Sequence, residues 1–224
     1  MQTVLDDFNK RAKEITDYIV FIRDLENQSI KINKENQVTK IDVELLKTLK
    51  ATAYLLIYNL IESTMRLAIE CIFYEIKTKN ISFDNLRQEF KKLIWQNIKN
   101  KSIDKLTAKI INIGEDIIDA SFDSSKLFSG NVDAKEIKET AKKFGFSSRT
   151  DNINTRGGSD LLSIKTHRNN LAHGWESFND VGKNATGENL VEISERVMKY
   201  LRHILENIEE YLADEQYLES NVKR

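Results

Sequence analysis

The sequence has no proline and only 8 glycines in 224 residues. These residues interrupt helices and turn strands, so a many-stranded sheet with tight turns is excluded and long helices meet few obstacles. Cysteine occurs once, at Cys71. No intramolecular disulfide can form, the usage fits a reducing compartment, and the sulfur is expected to pack rather than react. Histidine occurs three times and without ligand-like spacing, so neither a metal site nor a cofactor is expected. Neither sign of charge is in excess. Lys plus Arg (34) nearly cancels Asp plus Glu (35), so no global field advertises nucleic acid and any anion site must be local. Apolar runs are broken by Asn, Glu and Arg before they reach the ~20 residues of a membrane span. The opening segment MQTVLDDFNKRAKE lacks the apolar stretch of a signal peptide. The expectation is a cytoplasmic protein with no membrane contact.

What is present is helical periodicity. With 40% hydrophobic and 31% charged residues the chain has the composition of a folded globular protein, and an all-α fold in one domain over residues 1–224 is predicted. Val4, Phe8, Ala12, Ile15, Ile19 and Ile22 recur at three- and four-residue steps, which predicts a helix over about 4–26 ending near Asn27. A polar connector, 28–38, leads to a long central helix over about 39–79. A third helix is expected from Ser82, with SFDN as its cap and Phe83, Leu86, Phe90, Leu93 and Ile94 on its apolar face. A break near Asn100 and Lys101 precedes a fourth over about 102–120, burying Leu106, Ile110, Ile113 and Ile117. A fifth spans about 133–144, between Asp133 as cap and Gly145 as stop. GFSSRTDNINTRGGS, 145–159, reads as a loop. The sixth helix covers about 159–172, and the last about 188–213 after the loop NDVGKNATG.

The chemistry concentrates at the end of the sixth helix, in IKTHRNNLAHGWE (164–176), which holds His167, Arg168 and His173. Arg168 and His173 are five residues apart, ~140° around an ideal helix, so a shared site requires the helix to fray or end between them. Gly174 supplies an end, leaving His173 in the last turn and free to swing toward the cleft that Arg168 faces. An imidazole exchanges protons near neutrality, at about pH 6.5, and a guanidinium stays charged and grips phosphate oxygens bidentately. Together they suit phosphoryl chemistry without a metal. The competing explanation for the pair is a helix terminus whose cations interact with the last carbonyls.

RNNLAHG at the end of a late helix in an all-α chain resembles the HEPN superfamily. Its motif is an Arg, a polar residue, three variable residues and a His, matched here by Arg168, Asn169 and His173. The resemblance implies a HEPN-like helical bundle with one long central helix, in which residues 101–157 fit the family frame least and are a candidate insertion. It implies a metal-independent endoribonuclease acting as a toxin or anti-phage defence effector, whose two copies face each other with both motifs in one cleft. The implied partners are therefore RNA, a second copy of the chain, and an antitoxin or defence-system protein. In this frame Arg168 holds the scissile phosphate, His173 is general base or acid, and Asn169 orients the group beside it. The alternative is a HEPN module that binds a nucleotide or protein without cutting, with an accidental motif on a helical scaffold as a third explanation.

Four further residues are assigned to substrate binding. Trp175 stands where family members silenced by a nucleotidyltransferase antitoxin often have a modifiable Tyr. Its indole has no hydroxyl, which argues against that control and leaves base stacking or sealing of the dimer. His167 is expected on an exposed helix face, within reach of RNA. Asn59 and Glu62 belong to a polar stripe on the central helix, with Ser63, Arg66 and Glu70, that recurs every three or four positions, and the resemblance suggests such a residue faces the motif. Solvated i,i+4 ion pairs, Glu62 with Arg66 and Arg66 with Glu70, explain the stripe without a site. Arg149 and Arg156, in the loop before the sixth helix, belong either to a flap over RNA or to a plain connector. His203 is expected to be structural.

Overall fold

The computed structural model describes residues 1–34, 37–99, 116–122, 127–128 and 130–220. Helix α1, Gln2–Glu26, buries Val4, Phe8, Ile15, Ile19, Ile22 and Leu25, and Asn27 closes it by donating its backbone N–H to Arg23. The segment after it is not a plain connector. Ile32–Lys34 (β1) and Gln37–Thr39 (β2) pair antiparallel, with Ile32 opposite Thr39. The alternation is too short for a periodicity to register it.

The central helix α2, Val43–Thr78, runs 36 residues, or ~54 Å at 1.5 Å per residue. Asp42 caps it by accepting from the backbone N–H of Leu45 at 2.9 Å. Its buried residues, among them Tyr54, Ile57, Tyr58, Leu60, Ile61 and Met65, are not confined to a narrow stripe, as expected of a helix wrapped by others. Each fully buried Ile or Leu contributes roughly 2 kcal/mol. Glu26 ties three elements together. One carboxylate oxygen accepts from Lys50 at 3.0 Å and the other from the backbone N–H of Gly187 at 2.6 Å. Gly187 must lack a side chain, since a Cβ there would lie 2.5 Å from the Cα of Arg23.

Ser82 precedes a turn but not the α-helix, and its side chain makes no cap bond. Phe83–Asn85 forms a single 3-10 turn and α3 begins later, at Gln88–Lys99. The C-terminal segment imposes the delay. Leu86 pairs with Leu218 across an isolated bridge, Arg87 N–H donates to Tyr217, and Glu219 N–H donates to Asn85. The break at Asn100 and Lys101 and the expected helix over 102–115, with Leu106, Ile110 and Ile113, lie outside the described residues. Within the rest of the expected span lies α4, Asp116–Ser121, with Ile118 buried and Ile117 partly so. Helix α5, Ala134–Phe144, matches its expected caps: Asp133 accepts from Glu136 N–H, and Gly145 takes the left-handed conformation at φ 89°. Val132, Ile137, Ala141, Phe144 and Phe146 join the same core as α1 and α2.

The stretch 145–159 contains a one-turn helix, α6 (Asn152–Thr155), capped by Asp151. His203 accepts from Asp151 N–H at 3.3 Å, and Asn207 donates to the Arg149 carbonyl at 2.8 Å, so this segment is tied to the last helix. Helix α7 spans Ser159–Ala172, α8 Phe178–Gly182, and α9 Gly187–Ala213. The expected loop NDVGKNATG therefore holds most of α8, anchored by Ser177 as cap and by buried Val181 and Gly182. Gly182 sits against α2, where a Cβ would meet the Lys47 carbonyl oxygen at 1.9 Å. No helix among the described residues is long and apolar enough to cross a membrane.

Candidate functional site

Helix α7 is defined at both ends by glycine. Gly158, at φ 82°, precedes it, and a Cβ there would lie 2.7 Å from the Tyr200 ring. The Gly-Gly pair thus serves close packing. At the other end Gly174 adopts φ 69°. Its N–H donates to the Leu171 carbonyl and that of Trp175 to the Asn170 carbonyl. These two bonds close the helix as a Schellman motif, with His173 as the last half-helical residue. Leu161, Ile164 and Leu171 are buried, so the face they share packs toward α2, and Arg168, four residues after Ile164, projects beside it.

The guanidinium of Arg168 is held by neutral groups. Its Cζ lies 4.7 Å from the centre of the Tyr58 ring. Its Nη1 donates to the side-chain oxygen of Asn169 at 2.9 Å and to the Gly130 carbonyl at 3.4 Å. Gly130, at φ 77°, is close enough that a Cβ would stand 3.0 Å from Nη1. Tyr58 is itself fixed, its hydroxyl accepting from Val132 N–H at 3.1 Å. Burial pushes the phenol up to about 12, with the Glu62 carboxylate adding to it and the Val132 bond and Arg168 opposing, so the ring beneath Arg168 stays neutral at any physiological pH. Asn169 also donates to Asn131 at 3.5 Å, so it is a brace for Arg168. Among the described residues no carboxylate pairs with Arg168.

Arg168 lines one depression of about 250 Å³ with Leu55, Tyr58, Asn59, Glu62, Ser63 and Arg66 of α2. The two stripe residues assigned from sequence, Asn59 and Glu62, are thus brought together with the motif arginine. The ion pairs expected to explain the stripe do not form: among the described residues Arg66 pairs with neither Glu62 nor Glu70. Asn59 is held from α1, where Arg11 donates to its side-chain oxygen at 2.9 Å while bonding Asp7 at 2.7 Å. Arg11 and Tyr58 were not singled out from sequence. For Tyr58 the signal existed, as a polar-tipped aromatic one residue from the stripe, but an apolar helix offers several of these.

Two expectations are corrected. His167 is not on an exposed face. Three residues after Ile164 and four before Leu171, it turns toward α2 and packs on Tyr54, ring centres 4.6 Å apart. Its Nδ1 is buried without a hydrogen-bond partner among the described residues, so that edge of the half-buried ring is taken up by packing. Nor does His173 turn toward the depression. The helix continues unbroken to Ala172, five residues advance it ~7.5 Å beyond Arg168, and the exposed imidazole stacks on Trp175, 5.0 Å centre to centre and 28° between planes. It is absent from the lining of the depression. Trp175 is 73% exposed. Arg156 pairs with Asp160 at 3.7 Å, on the side of α7 that meets α9. No group of three or more His, Cys, Asp or Glu that could hold a metal occurs among the described residues.

A model of the HEPN_MAE_28990-like HEPN family matches residues 1–217, nearly the whole chain. Comparison with characterised proteins and with solved structures gave no match.

Proposed function

The chain belongs to the HEPN_MAE_28990-like HEPN family, and on that premise we propose that it is a metal-independent endoribonuclease. The observation that carries this reading is the state of Arg168: a guanidinium oriented by a π face, an amide and a carbonyl, with its charge left open toward a depression. Anchoring of that kind fixes geometry without neutralising the ion, which is what stabilising charge on a phosphate in flight requires. His173 accepts the proton of the attacking 2′-OH or returns one to the departing 5′ oxygen. Asn169 keeps Arg168 in register.

One chain does not place His173 beside its own Arg168 depression, so the reading requires a second copy. With His173 and Trp175 exposed at the helix end, twofold symmetry supplies two imidazoles to one cleft. Trp175 then seals that cleft or stacks on a base. Membership of a HEPN family supports a toxin or defence role with an antitoxin or defence-system partner, and the indole at position 175 argues against silencing by modification of a tyrosine there.

The test is incubation of wild type, Arg168→Ala and His173→Ala with mixed RNA in EDTA. Chelator-resistant cleavage lost in both variants supports the nuclease. A second reading, a binding module that does not cut, is favoured by the separation of His173 from the depression. Its signature is nucleotide or RNA binding that needs Arg168, does not need His173, and yields no product.

A further inference from the structure

Arg66 stands eight residues beyond Tyr58 on α2, ~12 Å along the axis, and lines the same depression as Arg168. Two carboxylates are placed to neutralise it, Glu62 one turn before and Glu70 one turn after, the former in the more favourable order for a helical ion pair. Neither pairs with it among the described residues, and Arg66 is exposed. Glu62 instead acts on Tyr58, raising its phenol. Asn59, next to Tyr58, lines the same depression; its side-chain oxygen accepts from Arg11, which leaves its amide N–H groups as donors. The depression is thus lined by two guanidinium groups, neither paired with a carboxylate among the described residues, and by an amide.

We infer that Arg66 is a second phosphate contact, and that single-stranded RNA leaves the scissile point along α2 with Arg168 on one phosphate and Arg66 on a later one. This rests on the nuclease reading for the direction of the strand, although not for the existence of the contact. A single phosphate fits less well than a strand. On α2 Arg66 stands about two turns beyond Tyr58, over whose ring Arg168 lies, and Glu62, four residues from each, disfavours an anion between them. Side chains that touch only backbone carry no base preference, so the contact should tighten all sequences alike.

The test uses the full chain, with a short 2′-O-methyl oligoribonucleotide that cannot be cleaved and the corresponding dinucleotide as ligands. Affinity is measured across a salt series for wild type, Arg66→Ala and Arg66→Lys, with thermal melts to confirm that the variants are folded. Arg66→Ala should weaken the oligonucleotide by on the order of tenfold at low salt and reduce the log–log salt slope by about 0.7, with the dinucleotide unaffected. Arg66→Lys should keep the slope. On cleavable RNA, Arg66→Ala should raise KM and leave kcat unchanged. An oligonucleotide affinity and slope equal to wild type in Arg66→Ala overturns the inference, even if wild type cuts RNA. Binding lost as described in a wild type that does not cut sustains the contact while the nuclease reading fails. A wild type that binds no RNA overturns both.

Discussion

The two sides of helix α7 treat their cations differently. On the side that meets α5 and α9, each cation has its carboxylate. Lys165 pairs with Asp133, and Arg196 bonds Asp160 at 2.7 Å with Arg156 at 3.7 Å from the same acid. On the side that meets α2, among the described residues, Arg168 has an amide, a carbonyl and a phenol ring but no carboxylate, and Arg66 has no partner. Partly buried ions are usually paired because desolvation is costly, and the paired side obeys that rule. Neighbouring residues of one helix depart from it only where Arg168 faces the depression. Charge that serves the fold is neutralised within the fold, and charge left open is available to something else.

Substitutions on the two sides should therefore separate activity from stability. The largest effect is expected on the open side, where Arg168→Ala and His173→Ala should each lower RNA cleavage by about 10²- to 10⁴-fold, read as kcat in EDTA, with melting temperatures close to wild type. The paired side should behave in the opposite way. Asp133→Ala removes both the cap of α5 and the partner of Lys165, and should cost about 3 kcal/mol in urea unfolding with kcat per folded molecule retained. If Asp133→Ala lowers kcat as far as Arg168→Ala does, the two sides are not functionally distinct.

The paired side also sets an acid limit. Burial tends to raise the Asp133 carboxyl, but Lys165 and the backbone N–H groups of Glu136 and Lys135 outweigh it and leave the group below its ordinary value. A carboxyl lowered on folding contributes stability that is present above its unfolded pKa of about 3.9 and is lost as pH falls through its folded value. The stability gap between wild type and Asp133→Asn should therefore be constant near neutrality and narrow below about pH 4. A gap that widens on acidification contradicts the assignment.

Smaller effects sharpen the picture at the helix end. Gly174→Ala meets no steric obstacle, with nothing within 4 Å of the added Cβ. Its cost should be the left-handed backbone alone, about 1 kcal/mol, measured by thermal unfolding. Trp175→Ala should change stability by less than about 0.5 kcal/mol, since the indole is mostly exposed. Any larger loss that depends on protein concentration would place the indole in an interface between copies.

The sequence was informative where structure is local. The bounds of α7, the Asp133 and Gly145 ends of α5 and the close of α1 at Asn27 all follow from caps and apolar spacing. It misled where a distant segment decides. Ser82 has the chemistry of a cap, yet the strand-like pairing of Leu86 with Leu218 delays α3, and a local pattern carries no trace of residue 218. In the site, Asn59 and Glu62 were found through their stripe, and their meeting with Arg168 depends on how α2 packs on α7. His167 is polar, which favours exposure, yet its spacing from Ile164 and Leu171 places it on the face that packs against α2. Arg11 could not be foreseen, since it reaches Asn59 across 48 residues of sequence.

Mixing two inactive proteins tests most directly whether two copies share one cleft. Arg168→Ala and His173→Ala chains, carrying different tags and co-expressed, are purified as the doubly tagged assembly and assayed on RNA in EDTA. If Arg168 and His173 act on one phosphate in a cleft shared by two copies, the mixed assembly has one intact residue of each kind and should cut on the order of tenfold faster than either variant alone. A mixed assembly as inactive as its parents, beside an active wild type, would contradict it.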